Sequence, residues 1–185
     1  MAKTDLVFKE YLAHKKVTKN HELYVLHLVG SHGAYHKRYI KEMVMYKEPK
    51  NPIEDYDNTI YFTDIIVHEI MDFFIQENQK VLIVYMSDHG EVVSVNRSGH
   101  GFSASYKDEY DVPLVVYSTI ENSRIEESFK QNLLRPLNLE SFNYFIKYIS
   151  GLSDESNLSY SSKVFSVSPE HVLDYNELKY ISEEE

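Results

Sequence analysis

The sequence predicts an α/β domain, with a mainly parallel sheet flanked by helices and residues 1–185 forming a single unit. Three observations predict it. Short runs rich in Val, Ile, Leu and Tyr recur at 23–29 (LYVLHLV), 80–86 (KVLIVYM) and 112–118 (VPLVVYS), bounded by Gly, Asp or Pro. A long helical pattern separates the first two runs, and strand–helix–strand order implies a sheet between helices. Polar clusters follow the first two runs directly, at the strand ends where ligand sites gather in such sheets.

Each run is apolar on both alternating faces, as in a strand buried on two sides of a parallel sheet. His27 interrupts the first, where a polar ring weakens a strand unless the strand end needs imidazole. Within 57–78 (DNTIYFTDIIVHEIMDFFIQEN), Ile60, Phe62, Ile66, Ile70, Phe73 and Phe74 recur at three- and four-residue steps. That spacing predicts an amphipathic helix, with Asp57 as its cap. A second helix is expected from about Asn138, carrying Phe142, Phe145, Ile146 and Ile149 and stopped by Gly151. Thr4 is read as a helix cap near the N-terminus, and the tail over 163–182 as short strands joined by turns.

Composition narrows the function. Hydrophobic residues are 43% and aromatics 14%, a globular rather than disordered balance. The net charge of −10 argues against nucleic acid, whose phosphates call for basic surfaces. No apolar run reaches the roughly 18 residues of a membrane helix. MAKTDLVFKE at the start has no apolar core and does not read as a signal peptide. With no cysteine, the redox compartment cannot be inferred.

The chemistry concentrates in SHG (31–33) and SDHGE (87–91). Asp88 and His89 are neighbours and would point to opposite faces of an extended strand. A turn at Gly90 lets both reach one ion, and an Asp oxygen with a His nitrogen is an ordinary pair of zinc ligands. The plainer alternative makes Asp88 a turn cap and His89 a polar loop residue.

Taken in order, VGSHGAYHKRY (29–39), YDNTIYFTDIIVHEI (56–70), VLIVYMSDHGE (81–91), GHGF (99–102) and DVPLVVY (111–117) resemble the catalytic domain of the phosphoethanolamine transferases. These are membrane-anchored members of the alkaline phosphatase/sulfatase superfamily, and the resemblance covers about residues 22–118. It implies a partial alkaline phosphatase/sulfatase-like fold, the C-terminal portion of a catalytic domain. It also implies a zinc-dependent transfer of phosphoethanolamine from a phospholipid donor, through a threonine nucleophile, to lipid A or another envelope glycan. Asp88 and His89 match the family's metal ligands. His32 and His100 match histidines that hold the phosphoryl group or a second metal, and His27 matches a further active-site histidine.

The other histidines, His14, His21, His36, His68 and His171, have no motif support and are expected at the surface or in structural roles, His68 as a packing residue. Lys37 and Arg38 are expected to be solvated, the alternative being attraction of anionic headgroups. The resemblance implies that the family's nucleophile and an acidic zinc ligand lie upstream of this region, and residues 1–20 hold no matching motif. The chain is therefore expected to be a trimmed or truncated product, soluble and inactive without the missing N-terminal half. Its parent would sit in the inner membrane with a periplasmic catalytic domain.

Three departures from the family pattern stand out. Ala34 replaces a usual proline, VVSVNRSGHGF (92–102) replaces a Gly/Glu-rich segment, and family disulfides have no counterpart. Two alternatives stay open: a sulfatase or phosphodiesterase of the same superfamily, or a non-catalytic module binding metal or phosphate.

Overall fold

In a computed structural model of the chain, the structure describes residues 5–16, 18, 21–76, 80–101, 106–121, 123–132, 141–154, 162–165 and 172–182. Four helices, α1 (Val7–His14), α2 (Pro52–Gln76), α3 (Ser123–Asn132) and α4 (Phe142–Ile149), accompany short strands β1 (Leu82–Met86), β2 (Val92–Val93), β3 (Ser98–Gly99), β4 (Leu114–Ser118), β5 (Lys163–Phe165) and β6 (Val172–Asp174). Thr4, His171 and the helix start expected at Asn138 lie outside the described residues.

The central helix α2 starts earlier than its apolar spacing suggests. Its signal is Asn51-Pro52-Ile53-Glu54: the Asn51 side-chain oxygen accepts from the Glu54 N–H at 2.9 Å, and Glu54 accepts from the Lys50 N–H at 2.6 Å. Pro52 opens the helix, where its missing N–H costs nothing. Asp57 is therefore an interior residue and not the cap. Phe62, Ile66, Ile70 and Phe74 form the buried stripe, but Ile60 is 41% exposed because it lies across the helix from that stripe. His68 also faces outward, 74% exposed and 3.4 Å from Asp72, so it is not the packing residue expected.

Two apolar clusters hold the domain together. In one, α2 packs with Leu12 of α1 and with Tyr24, Leu26 and Leu28. In the other, Phe145, Tyr148 and Ile149 of α4 pack with Leu82, Val84, Leu114 and Val116, joined by Ile125 of α3. Ile83 packs toward α2 while its neighbours Leu82 and Val84 pack toward α4, as the alternation of a strand requires. The β1–β4 ribbon thus lays one face on α4, and on its other face Ile83 of β1 reaches α2 while Val115 of β4 is exposed.

The expected mainly parallel sheet is not what the described residues form. β1 and β4 pair antiparallel, Leu82 opposite Ser118 and Met86 opposite Leu114, and β2–β3 and β5–β6 are antiparallel as well. The apolar runs misled for a physical reason: apolar residues on both faces of a strand, Val115 included, do not record which way the paired strand runs. Residues 23–29 are corrected too. They lie outside the strand pairs of the described residues, with Tyr24, Leu26 and Leu28 packed inward. Leu23 (89% exposed), Val25 (84%) and Val29 face out. The buried carboxylate of Asp5 pins the end of this segment, accepting from the N–H groups of Val29 and Gly30 at 2.9 Å each.

Gly151 does end α4: its φ of 73° is left-handed, and Leu152 N–H returns to the Lys147 carbonyl at 2.8 Å. Beyond it, the tail clasps the loop after β3. Ile181 N–H donates to Asp108, Lys107 N–H donates to the Lys179 carbonyl, and the hydroxyls of Tyr175 and Tyr180 donate to Asp111. The Lys107 ammonium lies 4.8 Å and 5.4 Å from the centres of those two rings. No described helix is long and apolar enough to cross a membrane.

Candidate active site

The site forms where β1 ends. Ser87 turns the chain, its hydroxyl donating to the His89 carbonyl at 2.8 Å. Gly90 then passes so close to the 108–109 backbone that its N–H donates to the Glu109 carbonyl at 2.9 Å. Just after it, the β2–β3 hairpin pairs Val92 with Gly99, so Glu91 and His100 come opposite each other one step further on. The segment that departs from the family pattern is this hairpin. Ser94 closes its turn, with its N–H donating to the Arg97 carbonyl at 2.7 Å.

This geometry gathers three of the expected histidines. The rings of His89 and His100 lie 3.8 Å apart, centre to centre, and those of His32 and His100 6.4 Å apart. His89 hydrogen-bonds the Gly90 carbonyl through Nδ1 at 2.8 Å, which assigns the proton to Nδ1 and leaves Nε2 open. Asp88 stands at the edge, its side chain 84% exposed and its carboxylate 3.9 Å from His89 Nε2. His27 lies on the exposed side of the 23–29 segment, opposite the inward Leu26 and Leu28.

Sequence reasoning missed Glu91. One of its carboxylate oxygens lies 2.7 Å from His100 Nδ1, and the other accepts from the Tyr35 hydroxyl at 2.7 Å. The side chain is 9% exposed. The signal was present in the sequence, since a carboxylate two residues beyond His89 closes the SDHGE run. Tyr35 is itself buried and stacks edge-on against Tyr56 of α2, with centres 5.3 Å apart. Burial, and then the bond to Glu91, raise the Tyr35 hydroxyl, while burial and the charge of Glu91 push Tyr56 up to about 12. Both phenols therefore stay protonated at neutral pH, and Tyr35 remains a donor to Glu91. A cavity of about 560 Å³ flanks Glu91, lined by Tyr35, Asp55 and Ser98 among others.

The donor set fits a metal. Ligand atoms of His89, Glu91 and His100 all lie within 4.8 Å of one another. Two imidazoles and a carboxylate suit zinc better than a hard, oxygen-seeking cation.

The SHG loop is shaped by Arg38, which corrects its expected role as a solvated charge. Its guanidinium donates to the carbonyls of His32 at 2.9 Å and Gly33 at 3.1 Å, holding the loop that carries His32. Ala34 has φ of 60°, a left-handed conformation closed to the proline usual there, whose ring fixes φ near −65°. An L-residue pays roughly 1 kcal/mol in that region and glycine does not. Ala34→Gly should therefore raise stability by up to about 1 kcal/mol, offset in part by a more flexible unfolded chain. Urea denaturation checks it, and a loss of stability would contradict the loop conformation.

Comparison with known proteins places these features in a lineage. The sulfatase family model matches residues 1–152. The phosphoethanolamine transferase EptA of Helicobacter pylori is 29% identical over 119 residues, covering 56% of this chain and 23% of that protein. The Kdo(2)-lipid A phosphoethanolamine 7''-transferase of Escherichia coli K12 is 25% identical over 124 residues, covering 59% of this chain and 22% of that protein. The phosphatidylethanolamine transferase Mcr-2 of Escherichia coli is 30% identical over 115 residues, covering 52% and 21%. The matches thus span less than a quarter of the length of these relatives. No solved structure matches at a comparable level.

Proposed function

The chain belongs to the sulfatase family, and on that premise we propose that it is part of a zinc-dependent catalytic domain. That domain transfers phosphoethanolamine from a phospholipid donor to lipid A or a related envelope glycan. The observation that carries this reading is the meeting of His32, His89 and His100 at the end of β1. The activities of the relatives, phosphoethanolamine transferases, support it.

In this proposal Asp88 and His89 would hold the zinc, as the resemblance implies, with Glu91 and His100 as the further donors gathered beside His89. Bound zinc would supply a Lewis acid against phosphoryl oxygens and lower the pKa of a coordinated hydroxyl. His32 and His100 face the phosphoryl group, where their N–H groups stabilise negative charge growing on its oxygens. Either ring, when protonated, can hand a proton to the leaving alkoxide. His27 joins from the outer side of the 23–29 segment. The described threonines are engaged elsewhere: Thr59 and Thr63 are buried along α2, Thr119 accepts from the Val81 N–H at 2.9 Å, and Thr18 donates to Glu22 at 2.6 Å. In this reading the nucleophile comes from the N-terminal half of the catalytic domain, as the family resemblance implies. That half docks along the outward face of 23–29, and the parent protein sits in the inner membrane with its catalytic domain in the periplasm.

Mass spectrometry tests the division of labour. The chain is incubated with zinc and phosphatidylethanolamine vesicles, alone and with the upstream half of a relative's catalytic domain. No covalent adduct is expected on the chain alone, and transfer is expected on complementation. An adduct on Thr4, Thr18, Thr59, Thr63 or Thr119 would overturn the proposal, and sulfate-ester hydrolysis without transfer would favour a sulfatase. Zinc titration calorimetry should show His89→Ala weakening binding at least about tenfold, because a direct ligand is lost. Unchanged affinity would move the metal away from this corner.

A further inference from the structure

Charge is unevenly spread along this chain. It carries −10 in all, yet residues 36–50 hold Lys37, Arg38, Lys41, Lys47 and Lys50 against only Glu42 and Glu48, a local balance of +3. Arg38 is engaged by the SHG carbonyls. The four lysines are exposed, and among the described residues no carboxylate pairs with their ammonium groups. Between them Met45 and Tyr46 stand 58% and 37% exposed. The loop presents these side chains from a fixed frame. Tyr39, Ile40 and Met43 pack into the α2 cluster, and Met43 N–H donates to the Ile40 carbonyl at 3.0 Å. Asn58, fully buried, holds the backbones of Met45 and Tyr46 through three hydrogen bonds.

We infer that the 41–50 loop, with Lys37 beside it, is a docking surface for an anionic phospholipid bilayer. This deepens the function proposed above and rests on it for its purpose, since the donor there is a phospholipid. Lysines around a protruding apolar tip suit a membrane interface: the ammonium groups meet lipid phosphates while Met45 and Tyr46 reach the acyl boundary. The lysine stems can lie along the apolar surface with their charges in water. A lysine held near such a surface is worth about fivefold in affinity. Because the loop is already fixed by Asn58, docking has little left to order. With +3 in this stretch, the remaining sequence carries −13 and is repelled by the same lipids, so attachment is confined to the loop. The loop also ends at the cavity beside Glu91, which Pro49, Lys50 and Asn51 help to line. A bilayer held there lies next to the site that would use its headgroups.

Vesicle sedimentation with the full chain, without added metal, is the test. Vesicles of phosphatidylethanolamine and phosphatidylglycerol in equal parts should carry the chain down at low salt, and phosphatidylcholine vesicles should not. Rising salt should weaken the binding. Lys41→Glu with Lys47→Glu should weaken it about tenfold or more. Lys16→Glu with Lys80→Glu, equal in charge but outside the loop, should cost less than about threefold. The chain has no tryptophan, so Tyr46→Trp supplies a single reporter, whose emission should shift to the blue on the anionic vesicles. Absence of wild-type binding to those vesicles would overturn the inference, and this readout does not depend on any variant folding. Equal weakening by the two charge reversals would overturn it as well, as would an unshifted Tyr46→Trp spectrum on bound protein. Displacement by inorganic phosphate but not by chloride at equal ionic strength would do the same, making the loop a site for the free anion. Failure of the functional reading would look different: the chain would bind the vesicles as expected, but complementation would give no transfer.

Discussion

Replacing Gly90 with alanine should cost about 3 kcal/mol or more and dismantle the histidine corner with it. A Cβ at this position would lie 1.9 Å from the Asp108 carbonyl oxygen and 2.9 Å from the carbonyl carbons of Asp108 and Glu109. All three are backbone atoms, so no side chain can swing aside. The 108–109 loop cannot retreat freely either, because the tail grips it through Lys107, Asp108 and Asp111. Relief must come from the SDHGE turn, which would displace His89 on one side and Glu91 on the other. Urea denaturation and zinc titration on the same variant check both halves of the expectation. A cost under 1 kcal/mol with intact zinc binding would show that the loop yields. The glycine is needed for close approach: Gly90 is not among the residues with left-handed φ. Its expected part as a permissive turn residue was therefore the wrong reason for the right residue.

Asn58→Ala should cost about 3 kcal/mol, the second large effect. Asn58 is fully buried on α2 and completes three hydrogen bonds to one loop. Its side-chain oxygen accepts from the N–H groups of Met45 and Tyr46 at 2.9 Å and 2.8 Å, and its amide donates to the Tyr46 carbonyl at 2.8 Å. Alanine would strand all three backbone groups, and each orphaned buried group costs about 1–3 kcal/mol unless water reaches it. Asn58→Asp keeps both acceptor roles, loses the donor and adds a buried charge, so it should not rescue. Hydrogen exchange at Met45 and Tyr46 supplies the local measurement. Protection unchanged in Asn58→Ala would mean that the loop is held by other contacts.

What was legible in the sequence follows from what each residue's neighbours are. The α2 stripe could be read because Phe62, Ile66, Ile70 and Phe74 repeat at the helical period and all meet one core. The β1 and β4 runs could be read as strands, but an apolar run leaves no local trace of the direction of its partner. The helix start was present as Asn51-Pro52-Ile53-Glu54 but lies outside the apolar periodicity that drew attention to Asp57. Of the site, His32, His89 and His100 were visible as motif residues that the fold does bring together. Glu91 was not, because its importance depends on the hairpin register and on Tyr35, a residue 56 positions away. Arg38 escaped similarly: its carbonyl partners are main-chain atoms, which carry no side-chain signature.

The outward face of 23–29 has a consequence for handling the protein. An extended segment exposing Leu23 and Val25, outside the strand pairs of the described residues, is a template for any strand that meets it, including the same segment of another copy. Docking of a remaining half and self-aggregation would then compete for one edge. The net charge of −10 is the counterweight, since like-charged chains repel. Salt screens that repulsion over about 8 Å at physiological ionic strength while leaving the apolar edge as sticky as before. Solubility of the chain should therefore fall as salt rises, and low-salt buffers should keep it dispersed longest.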